Sequence, residues 1–161
     1  MNIFYLDENP VVAAKSQCDK HVVKMPLESA QMLCTAHRVL DNIDVLAGQS
    51  LYKSTHVNHP CSVWVRESNE HYMWLYEHFI ALCQEYTNRY GKQHLCFTKF
   101  EKPLWYVPEN ISKIGFSEPP ACMPEYCKRS DSVTSYMVYY RYEKRAIAKW
   151  DRLKNIPYWM D

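Results

Sequence analysis

Six polar side chains recur at helical spacing near the N-terminus. They are, in chain order, His21, Lys24, Glu28, Gln31, Thr35 and Arg38. Alternating steps of three and four residues place all six on one face of an α-helix. A solvated helix surface usually mixes Glu and Lys, so an imidazole, an ammonium group, a carboxylate and an amide in one row are unusual. The row predicts either a catalytic or ligand-binding face or the solvated face of an amphipathic helix.

A second polar cluster, residues 52–61, contains His56, Asn58 and His59 and ends at Pro60-Cys61. Proline is favoured at the first position of a helix, so a helix should begin at Pro60 with Asn58 or His59 as its cap. Both polar clusters are embedded in apolar sequence. We therefore predict that they meet in one buried site, although a polar network that only joins two helices is the alternative.

Within that site the residue types suggest acid–base or covalent chemistry. Glu28 is the predicted general acid or base and the electrostatic partner of a cationic transition state. Lys24 is predicted to be an electrostatic group or an imine-forming amine. His21 and His59 complete the predicted catalytic set, orienting groups or relaying protons. The predicted substrate-binding residues are polar or basic side chains, namely Gln31, His56, Asn58, Arg66, Arg141, Lys144 and Lys149.

Metal binding is a weaker alternative. Cys18-x-x-His21 and His56-x-x-His59 have ligand-like spacing, and Cys61 lies nearby. Structural zinc sites usually show two tight Cys/His pairs, which this sequence only approximates. We predict no metal and no other cofactor.

The composition predicts one domain over residues 1–161. The sequence contains only 3 Gly, which argues against a Gly-rich phosphate loop, and 13 Tyr and 5 Trp, which suit base stacking as well as cores. It has no 18-residue apolar run and no secretory signal, so we expect a cytoplasmic protein without a membrane span. The seven Cys are then expected to be free thiols.

The C-terminal part is the basic part of the chain. Residues 128–154 contain eight Lys and Arg against three acidic residues, a net charge of +5, within a chain whose total is +1. We predict a last long helix over about 131–153, with a basic face interleaved with aromatic residues; that face consists of Arg141, Lys144, Arg145, Lys149 and Arg152. Such a face suits phosphates and unpaired bases, or else is simply solvated.

Strand signals are nearly absent, and residues 2–6 form a short strand or an extended segment. Helices are predicted over residues 10–17, about 19–40 with a kink or restart at Pro26, and 61–68. A long helix should then run to Tyr90 and stop at Gly91, its apolar stripe in the core. A Pro-rich connection over residues 99–127 is expected to include a short helix at 108–113. The predicted fold is a compact, single-domain, all-α helical bundle.

The order of these features resembles the phage-type pyrimidine-dimer DNA glycosylases of the endonuclease V kind. The resemblance rests on the N-terminal polar helix, the turn Asn58-His59-Pro60, the ending Arg89-Tyr90-Gly91 and the segment Tyr139-Tyr140-Arg141-Tyr142. It implies base excision on duplex DNA with a flipped or modified base, and a host cytoplasmic location for a phage protein.

In that family an N-terminal α-amine attacks the sugar C1′ to form a Schiff base, and a glutamate beside an arginine on the first long helix assists. The resemblance implies that Glu28 is this glutamate and that Lys24 replaces the arginine. Family members expose a small second residue after Met1 is removed, whereas Asn2 is larger. Alternatives are a phage enzyme that modifies thymine derivatives in DNA, an enzyme acting on small nucleotides, and a non-catalytic factor that binds nucleic acid or protein.

Overall fold

The computed structural model of the chain describes residues 1–153 and 156–160. In these ranges the regular structure is almost entirely helical. The α-helices are α1 (Pro10–Ser16), α2 (Asp19–Asp41), α3 (Pro60–Glu67), α4 (Asn69–Tyr90), α5 (Leu95–Phe100) and α6 (Ser132–Tyr139). Strands β1 (Val45–Leu46) and β2 (Gln49–Ser50) form one small antiparallel hairpin. The prediction of an all-α fold is confirmed.

The starts of α1 and α3 and the end of α4 follow local sequence signals. The Asn9 side chain accepts hydrogen bonds from the backbone N–H groups of Val11 and Val12, and Pro10 opens α1. The His59 ring caps α3 in the same way ahead of Pro60. Gly91 ends α4 in the left-handed conformation at φ 70°, which glycine adopts without strain.

The core lies between α4 and the two helices that pack against it, α1 and α2. The predicted apolar stripe of α4 is buried from Tyr72 through Leu75 and Phe79 to Cys83, whereas Tyr86 and Tyr90 are only half-buried. The stripe is therefore part of the core, as predicted. No helix within the described ranges is long and apolar enough to cross a membrane.

A buried cation joins the N-terminal helices to the end of α4. The Arg89 guanidinium donates to the carbonyls of Lys15 and Gln17 at 3.0 and 2.8 Å. It also donates to the carboxylates of Asp19 and Glu85 at 3.1 and 3.3 Å. The Arg89 side chain has no exposed area, so these partners replace the water that it loses.

The N-terminal segment is extended and buried rather than a strand. Ile3, Phe4, Tyr5 and Leu6 are all at most 5% exposed. Phe4 has φ 57°, which is uncommon for a bulky residue and marks a sharp change of chain direction. This change of direction occurs two residues after Asn2, next to α2.

The prediction of one C-terminal helix over 131–153 is wrong. Asp131 caps α6 as expected, through the N–H of Thr134 at 2.7 Å. The helix ends at Tyr139, however, and a π-helical turn follows over Tyr140–Lys144. In one straight helix residues 140 and 150 would lie about 15 Å apart along the axis. The rings of Tyr140 and Trp150 are instead 6.4 Å apart and both buried, so burial of both aromatics favours a folded-back chain.

The predicted basic face is lost with that helix. Arg152 lies over the Tyr90 ring, with its guanidinium carbon 5.2 Å from the ring centroid, whereas Lys144 lies over the Tyr139 ring at 4.7 Å. The two cations therefore contact different parts of the molecule. Lys154, the last basic residue of the segment, lies outside the described residues.

The structure excludes one of the two options predicted at Pro26, and one predicted short helix is not formed. α2 continues through Pro26 without a restart. No helix forms at residues 108–113; instead the Asp41 carboxylate accepts the backbone N–H groups of Glu109 and Asn110 at 2.9 and 3.0 Å. The Asp41 carboxylate thus satisfies two backbone N–H groups without a helix forming.

Candidate active site

A cleft of about 490 Å³ lies where α2, the N-terminal segment, the start of α3, the Pro-rich connection and the π-helical turn meet. Five of the residues predicted from the sequence line it together: His21, Lys24, Glu28, His59 and Lys144. The predicted convergence of the α2 row with the turn before α3 is therefore seen in the structure, with a residue of the C-terminal part beside it.

Glu28 contacts the start of the chain and Lys24 within the cleft. Its Oε2 accepts the backbone N–H of Asn2 at 3.1 Å and lies 3.9 Å from the amine of Met1. Its Oε1 is 3.2 Å from the Lys24 Nζ, one helical turn earlier. Only 12% of the Glu28 side chain is exposed, so a half-buried carboxylate faces two amines in the space of a few ångströms.

The two amines differ in their surroundings. The Lys24 side chain is 68% exposed, whereas the Met1 side chain is 2% exposed and holds the chain terminus against the protein. Lys24 is therefore an amine on a solvent-exposed side chain beside Glu28, whereas the chain terminus is anchored in the cleft by a buried side chain.

Asn2 fixes the position of the terminus. Its side-chain nitrogen donates to the carbonyl of Cys122 at 3.0 Å, and its side-chain oxygen accepts the N–H of Ile3 at 2.8 Å. The Pro-rich connection, which contains Cys122, thus forms one wall of the cleft.

His21 lies at the base of the cleft and is 6% exposed. Its Nδ1 forms a short hydrogen bond with the hydroxyl of Tyr140, and its ring stacks on Phe4 at 4.2 Å between centroids. Burial, together with the charges of Lys144 and Lys24, lowers the pKa of His21 to about 4. The imidazole is therefore neutral near pH 7.

His59 stands at the other side of the cleft and is half-buried. Its Nδ1 accepts the N–H of Cys61 at 3.2 Å as the cap of α3. Burial, followed by the Met1 amine and His56, lowers the pKa of His59, with Glu28 acting in the opposite direction. A neutral ring is thus expected at neutral pH here as well.

Cys61 and Cys122 form a thiol pair beside His59. The Cys61 Sγ donates to the Cys122 Sγ at 3.6 Å. Donating its proton raises the pKa of Cys61, and accepting it lowers the pKa of Cys122 to about 7. The sequence suggested Cys18, His21, His56 and Cys61 as possible partners of His59. The structure groups His59 with Cys61, which was among them, and with Cys122, which was not.

Positive charge surrounds the opening. Lys20, Lys24 and Lys144 line the cleft, and the Nζ of Lys144 lies 4.7 Å from the centroid of the Tyr139 ring, which also lines it. Such an arrangement of ammonium groups and an aromatic ring is suited to an anionic ligand with an aromatic part.

The other predicted substrate-binding residues are not among those lining the described cleft; they are Gln31, His56, Asn58, Arg66, Arg141 and Lys149. Gln31 lies one turn beyond Glu28, half-buried on α2. Arg66 donates to the carbonyls of Val57 and Ser62 at 2.7 and 3.1 Å and so supports the turn that presents His59. His56 and Asn58 are exposed on that turn.

Residue patterns alone did not predict several of the cleft residues. Phe4 comes from an apolar run that suggested only packing, and Cys122 comes from a connection without periodicity. Met1 and Asn2 were considered only through the family resemblance. Tyr139 and Tyr140 were noted in the basic C-terminal segment and in the resemblance, but not as neighbours of α2.

Comparison with known proteins gives one match. No curated protein and no solved structure matches the chain. A family model described as pyrimidine dimer DNA glycosylase matches residues 1–98 of the 161, a span that includes α1 to α4 and the Glu28 side of the cleft. The chain therefore belongs to the pyrimidine dimer DNA glycosylase family.

Proposed function

We propose that this protein is a glycosylase and lyase that excises a base from duplex DNA at pyrimidine dimers. Membership of the family supports a DNA glycosylase of this type. The observation on which the finer proposal rests is the contact of Glu28 with the start of the chain, 3.1 Å to the Asn2 nitrogen and 3.9 Å to the Met1 amine.

The proposed nucleophile is the α-amine at the N-terminus rather than Lys24. With Met1 present, its amine lies in the cleft against Glu28. If Met1 is removed, the nitrogen of Asn2 becomes the amine and already lies within hydrogen-bond distance of the carboxylate. Both positions belong to the N-terminal segment, which the buried Met1 side chain anchors, whereas the Lys24 side chain is 68% exposed.

The proposed reaction begins when the neutral amine attacks C1′ of the damaged nucleotide. A C1′–N bond forms, and the glycosidic bond breaks with its electron pair leaving on the base. Glu28 accepts a proton from the amine and faces the positive charge that develops on the sugar. The C1′–O4′ bond then breaks as O4′ takes the proton from Glu28, which gives a protonated imine between C1′ and the protein. Glu28, again a carboxylate, accepts a C2′ proton, and the C3′–O bond breaks with its electron pair leaving on the phosphate, which cleaves the strand.

The remaining cleft residues have proposed roles around this step. Lys20, Lys24 and Lys144 neutralise phosphates, and Tyr139 stacks on an extruded base. His21 is a positioning residue: its neutral ring is held by Tyr140 and supports Phe4, which is two residues from Asn2.

The test is reductive trapping. The protein is incubated with a duplex oligonucleotide containing one cyclobutane pyrimidine dimer, with and without borohydride. We expect a covalent protein–DNA adduct that maps by mass spectrometry to the first residue of the mature chain. Intact mass of the same sample identifies whether that residue is Met1 or Asn2.

Two matched samples distinguish the N-terminal amine from Lys24 as the nucleophile. Lys24→Ala should retain the adduct, whereas protein with an acetylated N-terminus should lose it. An adduct that maps to Lys24 would show that the nucleophile is assigned wrongly. The absence of both adduct and base release on every damaged or modified duplex tested would contradict the glycosylase proposal itself.

A further inference from the structure

Three side chains that bind soft metal ions converge on one wall of the cleft. His59, Cys61 and Cys122 each offer a ligand atom, and these atoms all lie within 4.8 Å of one another. Cys61 is fully buried, whereas His59 and Cys122 are half-buried and line the cleft. Cys122 lies outside the residues that match the family model, whereas His59 and Cys61 lie within them.

The spacing of the two sulfurs fits a shared ion. Two thiolates on one tetrahedral zinc ion, each at about 2.3 Å, are about 3.8 Å apart. The Sγ atoms of Cys61 and Cys122 are 3.6 Å apart, whereas a disulfide would require about 2.05 Å. A thiol–thiol hydrogen bond has a similar length, so the third donor, the imidazole of His59, is what makes this a metal-ligand set.

We propose that His59, Cys61 and Cys122 bind one Zn²⁺ ion, with the fourth coordination position open to the cleft. Thiolate and imidazole are the ligands that zinc prefers. Binding releases the two thiol protons to solvent. If the Nδ1 of His59 is the ligand, the bond also replaces the hydrogen bond of 3.2 Å from the Cys61 N–H.

The ion would link two parts of the fold that are far apart in sequence. It would hold the Pro-rich connection, through Cys122, to the start of α3. The carbonyl of Cys122 is the partner of the Asn2 side chain at 3.0 Å. Metal binding therefore bears on the position of the N-terminus, but the proposed site does not depend on the glycosylase chemistry.

The test uses the full chain, treated with a chelator, reduced, and titrated anaerobically with Co²⁺. We expect sulfur-to-cobalt charge-transfer absorption that saturates at one equivalent and is displaced by one equivalent of Zn²⁺. Cys122→Ser and Cys61→Ser should lose the absorption, and His59→Ala should weaken binding at least 10-fold. Cys127→Ser, on the same connection and also buried, is the matched control and should bind as the wild type does.

Circular dichroism of each variant establishes whether it is folded. The wild-type titration tests the proposal even if a variant does not fold. Absence of charge-transfer absorption in reduced, folded wild-type protein would overturn the proposal. So would equal binding by Cys122→Ser and the wild type. A Cys61–Cys122 disulfide that forms instead, seen as loss of two alkylatable thiols in chelator-treated protein that never binds Co²⁺, would also overturn it.

Discussion

At the scale of single residues, Glu28 is the group on which the proposed chemistry depends most. Glu28→Gln keeps the size and a hydrogen-bond acceptor for the Asn2 N–H but removes the negative charge and the proton acceptor. General acid–base catalysis typically contributes about 100-fold or more to a rate. We therefore expect dimer excision under single-turnover conditions to slow at least about 100-fold, with duplex binding changed little.

The matched control is Glu67→Gln, on the exposed end of α3 and outside the residues that line the cleft. It should leave the single-turnover rate unchanged. If Glu28→Gln retained the wild-type rate, the carboxylate would have no role in proton transfer or charge stabilisation. Measuring binding of the same duplex by fluorescence anisotropy separates a loss of chemistry from a loss of affinity.

At the scale of elements, Arg89 joins α4 to α1 and to the start of α2. Replacing it with Met removes the charge and leaves the carboxylates of Asp19 and Glu85 at 12% and 7% exposure without their cation. Breaking a buried ion pair by removing one partner costs about 3–5 kcal/mol. We expect Arg89→Met to lower the free energy of unfolding in urea by that order.

Lys92→Met, on the exposed residue just beyond the same helix, is the control and should change the free energy of unfolding by less than about 0.5 kcal/mol. If Arg89→Met lowered the free energy of unfolding by less than about 1 kcal/mol, water would be solvating the two carboxylates in place of the arginine. The network would then not hold the helices together.

The helix ends also show which parts of the fold can be predicted from the sequence. Where an end is marked by a local cap, as at Asn9, His59 and Gly91, the prediction is confirmed, because the signal and its partners lie within a few residues. The end of α6 has no such signal. It is set by the burial of Tyr140 and Trp150 against residues more than 100 positions earlier, which no local pattern reports.

The candidate site shows the same difference between local sequence signals and contacts across the fold. Helical periodicity predicted that His21, Lys24 and Glu28 share a face, and the turn before α3 was recognised from Pro60 and its polar neighbours. Met1, Asn2 and Cys122 reach the cleft through contacts across the fold, such as the bond from Asn2 to Cys122. Periodicity describes one element at a time, so it cannot bring together residues 120 positions apart.

At the scale of the whole molecule, two buried histidines make stability depend on pH. His78 is fully buried; its Nδ1 pairs with the Pro10 carbonyl at 2.9 Å and its Nε2 with Gln17 at 3.1 Å. Burial lowers the pKa of His78 to about 4, as it does for His21, from an ordinary value of 6.5. Both rings are therefore neutral in the folded protein until the pH falls to about 4.

The sign of the effect follows from proton counting. Between pH 6.5 and 4 the unfolded chain binds protons at these histidines and the folded chain does not, so the free energy of unfolding falls as the pH falls. The stabilisation is present in full above pH 6.5. Each histidine lowers the free energy of unfolding by roughly 3 kcal/mol when the pH is lowered from neutral to 4. Carboxylate protonation adds to the total, so differences between variants are the informative quantity.

The measurement is urea unfolding at pH 7.0 and 4.5 for the wild type, His21→Gln, His78→Gln and the exposed control His56→Gln. The first two variants should show a smaller drop between the two pH values than the wild type, because glutamine has no proton to bind. His56→Gln should keep the wild-type drop, since that ring is exposed in the folded chain. An unchanged drop in both His21→Gln and His78→Gln would mean that neither of these two imidazoles is held neutral by the fold.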